Sequence, residues 1–312
     1  MRKYIVQASR KIQMMGTVIE LLIEDEQAEQ KIEQVHQLLN LYNHRFSAND
    51  PESELSKINQ QASIGPVQVH PQLFELIQIG KKESLAKPSN LNIAIGPIVQ
   101  TWRIGFPDAK LPKIQEIADF LELCQPENII LDKENLTVFL KKKGMKIDLG
   151  ALAKGYIADL IMQEIHAKSI LINLGGNVLV SGKNPNRETG EWKIGIQSPG
   201  NSRGEHIGLL AIEGGSVVTS GIYERTFQLE GKTYHHIFDE QTGFPIKTDM
   251  ASLTIVANHS LTCEIWTTRL FGLPVAEALW QIEQNPEIEG IVITQEGQVL
   301  PSQNLKAKFI LY

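Results

Sequence analysis

The sequence predicts an α+β fold, because helical and strand-like segments occur in runs and do not alternate strictly. In the first half, apolar residues recur at three- and four-residue steps over residues 28–42, which is typical of an amphipathic helix. In the second half, short aliphatic runs such as residues 207–212 are bounded by glycines, which is typical of strands. Strands grouped in this way beside runs of helices favour an α+β domain.

The individual elements follow from local signals along the chain. Ser53 begins a short helix because its side chain can cap the backbone N–H groups that follow, and Pro112 opens a later one. Glu230 and Gly231 separate two strand-like runs and predict a hairpin. The predicted helices are residues 28–42, 53–58, 73–85, 114–123, a helix from about 261, and 275–282, and the predicted strands are residues 17–23, 129–131, 137–140, 170–173, 192–196, 207–212, 216–219, 226–229, 232–238, 291–293 and 309–311.

Composition limits the class of protein. The chain has 312 residues, of which 42% are hydrophobic and 21% charged, as is ordinary for a globular protein. No low-complexity linker or repeat divides it, so we predict a single domain over residues 1–312, within which two structural halves are possible. The formal net charge of −6 argues against a nucleic-acid partner.

No apolar run reaches the length of a transmembrane segment or of a signal peptide. The expected location is therefore the cytoplasm for the chain as given, or outside the cytoplasm if a leader has been removed. The two cysteines, Cys124 and Cys263, are far apart and have apolar neighbours, so two buried, reduced thiols are expected.

Residues 146–156 form the densest candidate site, in which a strand is expected to enter, small residues turn, and a helix leaves. Free backbone N–H groups at such a helix start attract phosphate, and Lys154 adds a positive charge beside them. The same pattern also fits an ordinary tight connection between a strand and a helix. Residues 173–177 form a second glycine turn, where either a ligand contact or simple chain reversal is possible.

A second candidate site lies in residues 234–243. His235 and His236 point to opposite faces of a strand, so only one of them can join a given pocket. The turn that follows is expected to bring the Asp239 carboxylate near His236, which is a usual arrangement for a general base. A structural histidine is an equally open interpretation.

Glu264 and Thr268 stand four residues apart on the helix predicted from about residue 261, hence on one face. A carboxylate and a hydroxyl offer hard oxygen ligands, which suit Mg²⁺ and not zinc. Surface helices also carry such pairs by chance, but apolar neighbours on both sides indicate a partly buried face.

These segments, in this order, resemble the ApbE family of flavin transferases, which are FAD:protein FMN transferases. The resemblance covers nearly the whole chain, and several motifs that are weak individually are colinear. The motifs are Met14–Thr17, Phe46–Ser47, Ser53–Asn59, Ile95–Val99 with Trp102, Ile147–Tyr156, Asn173–Asn177, Thr219–Gly221 with Tyr223–Arg225, His236–Asp239 and Thr242–Gly243.

The resemblance implies two fused halves like the tunnelling fold, with antiparallel sheets backed by helices and FAD in a cleft between the halves. It implies a Mg²⁺-dependent enzyme that transfers FMN from FAD to a Thr or Ser hydroxyl of an acceptor protein and releases AMP. That hydroxyl is expected in a short motif of small residues led by Asp. The implied site residues are Met15, Asn92, Ile93, Ala94, Asp148, Lys154 and Phe238 for FAD, the Ala151 carbonyl with the side chains of Glu264, Thr268 and Thr267 for the metal, and His236, with Asp239 beside it, for catalysis.

Four positions depart from the family pattern. Glu264 and Asn92 stand where Asp is usual, and Ile222 stands where Asp is frequent. Glu240 replaces a Pro, which is expected to loosen the turn after Asp239. The first three changes motivate an alternative, an FAD-binding protein without transferase activity. An FAD pyrophosphatase, in which water replaces the acceptor hydroxyl, and a purely structural protein that binds no FAD are further alternatives.

Overall fold

The computed structural model describes residues 5–201 and 204–312 and confirms the α+β class. The single domain predicted over residues 1–312 includes residues 1–4 and 202–203, which lie outside the described residues. The strands are β1 (Val6–Met14), β2 (Thr17–Asp25), β3 (Val67–Gln68), β4 (Ile129–Asp132), β5 (Thr137–Leu140), β6 (Ser169–Leu174), β7 (Asn177–Ser181), β8 (Trp192–Gln197), β9 (His206–Ile212), β10 (Gly215–Gly221), β11 (Thr226–Leu229), β12 (Lys232–His235), β13 (Met250–Ala257), β14 (Ile288–Thr294), β15 (Val299–Pro301) and β16 (Phe309–Leu311). The helices are α1 (Ala28–Phe46), α2 (Glu54–Gln60), α3 (Pro71–Leu85), α4 (Gly96–Trp102), α5 (Ile114–Leu121), α6 (Ala153–Glu164), α7 (Ser260–Leu270) and α8 (Val275–Gln284).

An antiparallel sheet of eight strands forms the centre of the fold, in the order β1-β2-β6-β7-β10-β13-β14-β15. It contains strands from both halves of the chain, which meet where β2 pairs with β6. The sheet β16-β9-β8 covers one face, and helices α1, α6, α7 and α8 pack on the other. The remaining strands form the sheet β3-β5-β4 and the hairpin β11-β12.

Alternation along the central strands explains this two-sided burial. Val217 and Ile291 pack toward β8 and β9, whereas their neighbours Val218 and Val292 pack toward α7 and α8. Because successive side chains of a strand point to opposite faces, each central strand contributes to both cores.

Strands β1, β3, β7, β13 and β15 and helix α4 are absent from the elements that the sequence predicts. β1 is the edge strand of the central sheet, and Arg10 interrupts the apolar face formed by Ala8, Ile12 and Met14, which weakens the strand signal. β13 is buried along most of its length, but Ala251 and Ser252 at its start weaken the strand signal.

The segment that enters the turn before α6 is not a strand, so that part of the prediction is wrong. Asn59 holds the segment from the side, because its Oδ1 accepts the Ile147 N–H at 2.7 Å and its Nδ2 donates to the Ile147 carbonyl at 3.0 Å. The N–H of Asp148 donates to the Ile93 carbonyl at 2.9 Å. A side chain and one backbone contact therefore replace the hydrogen-bond ladder of a sheet.

Two hairpins of the fold have tight two-residue turns. The β1–β2 turn consists of Met15 and Gly16, whose φ angles are 54° and 70°. The β11–β12 turn, at Glu230 and Gly231, also has positive φ at both positions, as favoured for two-residue hairpins. The second hairpin confirms the prediction, except that β12 ends at His235 and not at residue 238.

Cys124 and Cys263 are buried free thiols, as expected. Burial raises the pKa of the Cys124 thiol to about 12, so the group stays protonated and unreactive. In the part of the chain that the structure describes, every helix is too short or too polar to cross a membrane.

Candidate functional site

A cleft of about 670 Å³ lies where the central sheet, α6, α7 and the base of the β11–β12 hairpin meet. Helix α4 and its flanking loops contribute apolar residues such as Ile95 and Phe106, whereas α6 and α7 contribute polar residues. Ten of the predicted site residues line it: Met15, Asn92, Ile93, Asp148, Ala151, Lys154, His236, Phe238, Glu264 and Thr268. A cleft of this size and mixed character suits an elongated cofactor-like ligand.

The start of α6 lies close against α7 because Gly155 has no side chain. A Cβ atom there would lie 2.6 Å from the Ser260 carbonyl oxygen and 2.7 Å from Cγ of Glu264. The close approach brings the Lys154 ammonium within 3.1 Å of Glu264 Oε1, in a partly buried ion pair. Asn177 Nδ2 donates to the same oxygen at 2.9 Å. Two donors therefore fix a carboxylate whose residue is only 3% exposed.

Side chains from neighbouring elements anchor the first turn of α7. The Asp159 carboxylate accepts the backbone N–H groups of Ser260 and Leu261, each at 2.8 Å, and so caps the helix from α6. The Ser260 hydroxyl donates to Asn177 Oδ1 at 2.6 Å. Burial raises the pKa of Asp159, and these backbone bonds oppose that effect. The position of Glu264, one turn further along α7, is thereby fixed.

The oxygen donors expected to bind a metal are only partly brought together. Glu264 and Thr268 line the cleft from α7, and Ala151 lines it from the turn before α6. Thr267 does not line it, because its side chain is buried and its hydroxyl donates to the Glu264 carbonyl at 3.1 Å. Thr267 is therefore not a suitable metal ligand here.

The remaining carboxylate, hydroxyl and backbone carbonyl are hard oxygen donors and fit Mg²⁺, which usually shares its coordination shell with water and substrate phosphates. Within residues 5–201 and 204–312 there is no group of three or more His, Cys, Asp or Glu side chains that could hold a metal. A metal ion bound at Glu264 would need further oxygen donors from water or a ligand. Lys154 competes for Oε1 of the same carboxylate.

Asn92 organises the loop before α4. Its Oδ1 accepts the Ala94 N–H at 2.8 Å, and its Nδ2 donates to the Cys124 carbonyl at 2.9 Å. Both polar groups of Asn92 are therefore engaged by the protein, and Ala94 is fully buried outside the cleft lining. Phe238 does reach the cleft, where its ring packs 5.9 Å from that of Trp102.

Asp148 presents a carboxyl group to the cleft next to the turn before α6. Its Oδ1 accepts the Gly150 N–H at 2.7 Å. Burial raises the pKa of this carboxyl group, and the Gly150 bond and the positive charge of Arg225 oppose the rise. Its protonation state therefore depends on which charges a ligand brings beside it.

His236 lies at the base of the β11–β12 hairpin and lines the cleft. Its Nδ1 lies 3.3 Å from the Arg225 carbonyl oxygen, which can only accept, so Nδ1 carries the hydrogen and Nε2 has the free lone pair. Burial lowers the pKa of His236 to about 4, and the positive charge of Arg225 acts in the same direction. At neutral pH the ring is therefore uncharged and able to accept a proton.

Asp239 does not pair with His236, so that prediction is wrong. Its Oδ1 accepts the backbone N–H groups of Gln241 and Thr242 at 2.7 and 3.2 Å. A short Asp side chain readily bonds to the backbone two residues further on, and this local contact prevails over the expected pairing.

The turn after Asp239 is well held although Glu240 replaces the family's Pro. Glu240 forms an ion pair with Lys87, and its N–H donates to Asn90 Oδ1 at 3.4 Å. The Asp239 N–H donates to the Phe244 carbonyl at 2.8 Å. The expected loosening is therefore wrong, because contacts from the loop before α4 replace the rigidity of proline.

Three residues of this region were not assigned a role from the sequence: Asn177, Asp159 and Arg225. Asn177 and Arg225 stand within conspicuous motifs, but their contacts involve elements distant in sequence. Asp159 lies four residues after Gly155 on α6, and only its bonds to the first turn of α7 reveal its role.

Comparison with solved structures shows the same fold. The ApbE protein of Thermotoga maritima aligns with a TM-score of 0.88 at 24% sequence identity, over 97% of this chain and 99% of that protein. The flavin transferase ApbE from Vibrio cholerae aligns with a TM-score of 0.80 at 22% identity, over 98% of this chain and 100% of that protein. The architecture is thus the one found in flavin transferases of the ApbE type.

Sequence comparison assigns the family. The model of the ApbE family matches residues 15–292. An FAD:protein FMN transferase of Klebsiella pneumoniae (strain 342) is 40% identical over 278 residues, which cover 88% of this chain and 85% of that protein. An FAD:protein FMN transferase of Treponema pallidum (strain Nichols) is 32% identical over 301 residues, which cover 90% of this chain and 83% of that protein. The chain belongs to the ApbE family, which confirms the resemblance seen in its motifs.

Proposed function

We propose that this chain transfers FMN from FAD to a Thr or Ser hydroxyl of an acceptor protein and releases AMP, with Mg²⁺ as cofactor. The observation that carries the proposal is the meeting, in one cleft, of an uncharged His236, the Lys154 ammonium and the oxygen donors of α7. The names of relatives at 40% and 32% identity support the same reaction. The acceptor hydroxyl is expected in a short, Asp-led motif of small residues.

The charge balance of the cleft supports the need for a divalent cation. Among the described residues, the charged side chains of its lining are Asp148, Glu224, Glu264, Lys154 and Arg225. Acids thus outnumber bases, and the pyrophosphate of FAD adds further negative charge. Mg²⁺ held by Glu264, Thr268 and the Ala151 carbonyl would neutralise phosphate oxygens and make phosphorus more electrophilic.

The residues of the chain act on the hydroxyl and on the phosphates separately. Nε2 of His236 accepts the proton of the acceptor hydroxyl while the hydroxyl oxygen attacks the phosphorus of the FMN moiety. A P–O bond forms to the acceptor, the bond from this phosphorus to the bridging oxygen breaks, and AMP leaves with that oxygen. Lys154 stabilises negative charge on the phosphates, and the apolar residues of α4 and its loops hold the flavin and exclude water.

Incubation of the full chain with FAD, MgCl₂ and an acceptor-motif peptide tests the proposal. Intact mass is expected to show the peptide with FMN added and one water lost, and AMP is expected in equal amount. A peptide with Ala in place of the acceptor Thr is the matched control. In His236→Gln, transfer is expected to fall about 10²- to 10⁴-fold, as for loss of a general base, while FAD affinity is kept.

Other outcomes contradict parts of the proposal. Tight FAD binding without an FMN adduct on any acceptor peptide would favour the alternative of an FAD-binding protein without transferase activity. Free FMN that accumulates without peptide, faster than the adduct forms with it, would indicate a pyrophosphatase. Equal loss of FAD binding and transfer in His236→Gln would give His236 a structural role.

A further inference from the structure

The Arg225 side chain has no part in the reaction as proposed above, although it lines the cleft beside His236. Thr226 and His235 are the last paired residues of the β11–β12 hairpin, so Arg225 and His236 face each other at its base. The His236 N–H donates to the Arg225 carbonyl at 3.3 Å. The backbone therefore fixes Arg225 and the candidate base relative to each other.

The Arg225 side chain packs against two glycines, Gly105 and Gly16, which leave room for it because they have no side chains. A Cβ atom at Gly105 would lie 3.0 Å from Cδ of Arg225, and one at Gly16 would lie 3.5 Å from Nη2. Both glycines have positive φ, 92° and 70°, a conformation that other residues rarely adopt. The guanidinium consequently lies beside the Met15–Gly16 turn, within the lining of the cleft.

This guanidinium is available to a ligand. Lys154, the other cationic side chain of the lining, is in an ion pair with Glu264. Arg225 makes no side-chain hydrogen bond or ion pair within the described part of the chain. Its charge still influences the site, because it lowers the pKa values of both Asp148 and His236.

The position of His236 restricts where the reacting phosphate lies. A general base acts within hydrogen-bond reach of the hydroxyl that it deprotonates. That hydroxyl in turn lies in contact with the phosphorus that it attacks. The transferred phosphate is therefore next to the base of the hairpin, where Arg225 is. A planar guanidinium with two parallel N–H donors is well suited to binding such a group.

We propose that Arg225 binds the phosphate of the FMN moiety of FAD and holds it in line with His236. This inference rests on the proposed function, because it takes FAD as the ligand. Arg225 contacts the non-bridging oxygens before the acceptor hydroxyl attacks, and it stays with the FMN phosphate when AMP leaves. The alternative anion, a carboxylate of the acceptor's Asp-led motif, is an outcome of the test below.

Equilibrium binding of FAD and of riboflavin, which has no phosphate, separates phosphate binding from a structural role. In Arg225→Met the Kd for FAD is expected to rise about 10- to 100-fold, as for a lost charge-assisted hydrogen bond, and the Kd for riboflavin to stay unchanged. Arg225→Lys keeps the positive charge but lacks the planar guanidinium. Its Kd for FAD is expected to lie between those of the wild type and Arg225→Met. Lys232→Met removes a charge from the far end of the same hairpin and should change neither Kd.

Three results would overturn the inference. If FAD and riboflavin binding were weakened equally in Arg225→Met, the substitution would have damaged the cleft or removed a contact with the flavin ring. Unchanged FAD affinity would exclude a phosphate contact, and a raised KM for the acceptor peptide would then assign Arg225 to the acceptor. Circular dichroism shows whether Arg225→Met folds. If it does not fold, an FAD affinity of Arg225→Lys equal to that of the wild type would overturn the inference. A wild-type chain that binds no FAD would instead remove the proposed function itself.

Discussion

At neutral pH the imidazole of His236 carries no charge, because burial and the Arg225 guanidinium lower its pKa to about 4. An exposed histidine would be partly protonated near neutral pH and partly unable to accept a proton. The Arg225 carbonyl also orients the ring through Nδ1. The cleft therefore contains an uncharged imidazole with one defined free nitrogen, and no carboxylate such as Asp239 is needed to orient the ring.

The lowered pKa of His236 predicts how folding stability depends on pH. In an unfolded chain a histidine titrates near pH 6.5, so between about pH 6.5 and 4 the unfolded state binds more protons than the folded state. The free energy of unfolding contributed by His236 is thus complete above about pH 6.5 and decreases as pH falls toward about 4. In His236→Gln this contribution is absent, so we expect Tm to fall less on acidification than in the wild type.

Thermal unfolding of both proteins between about pH 7 and pH 4.5 measures this difference. Buried carboxyl groups such as Asp148 and Asp159 titrate in both proteins, so their effects cancel in the comparison. Parallel Tm profiles would show that His236 has the same pKa in the folded and unfolded states.

At the scale of elements, the contact between α6 and α7 determines the geometry of the polar side of the cleft. Gly155 permits the close approach, and Asp159 on the same helix caps the first turn of α7. These two residues hold Lys154 and Glu264 at the distance of an ion pair. A disturbance of the helix contact would therefore affect both stability and FAD binding.

Gly155→Ala is expected to destabilise the protein, although alanine is the better helix former by about 0.5–1 kcal/mol. The added Cβ would lie 2.6 Å from a backbone oxygen, which cannot move away without shifting α7. We expect a net loss of about 1–3 kcal/mol in the free energy of unfolding, measured by urea denaturation. Gly65→Ala is the matched control, because a Cβ there meets nothing within 4 Å, and it should change stability by no more than about 0.5 kcal/mol. Equal stability of the two variants would contradict the close contact.

At the scale of the whole molecule, one continuous sheet supports both sides of the cleft. Met15 comes from the β1–β2 hairpin in the first half of the chain, and Asn177 and Thr219 come from β7 and β10 in the second. The chain as a whole has a net charge of −6, so an anionic ligand gains no help from the long-range field. Local cations and, in the proposed function, a bound metal supply the attraction.

Metal removal is expected to weaken the stabilisation of the chain by FAD. With Mg²⁺, FAD at one hundred times its Kd should raise the free energy of unfolding by about 2.7 kcal/mol. At the same FAD concentration with EDTA, we expect a smaller rise in Tm. Without a metal ion, the negative phosphates are repelled by the acidic side chains of the cleft. Differential scanning calorimetry measures both conditions.

In Glu264→Gln the difference in Tm shift between Mg²⁺ and EDTA should nearly vanish, since a proposed metal ligand is lost. Glu277→Gln removes an exposed carboxylate from the first turn of α8 and should behave as the wild type. A wild-type Tm shift that is the same with Mg²⁺ and with EDTA would exclude the metal from FAD binding.

Much of the fold was predictable because it depends on local signals. The apolar stripe of α1, the Ser53 cap of α2 and the Glu230–Gly231 turn each involve neighbours in sequence, and the structure has them where expected. The segment before α6 and the Asp239 carboxylate were predicted wrongly, because a partner distant in sequence or a competing local bond decides their contacts.

By itself, the sequence determined the α+β class, the family and ten of the residues that line one cleft, since periodicity, turns and motifs are written in consecutive residues. Only the tertiary structure decided that Thr267 turns inward and that Glu264 pairs with Lys154 and Asn177. It also decided that Arg225 lies beside His236, with no side-chain hydrogen bond or ion pair among the described residues. Such contacts join elements that are far apart in the chain. Packing therefore determines the burial and the charge environment of each residue, and neither can be predicted from local sequence.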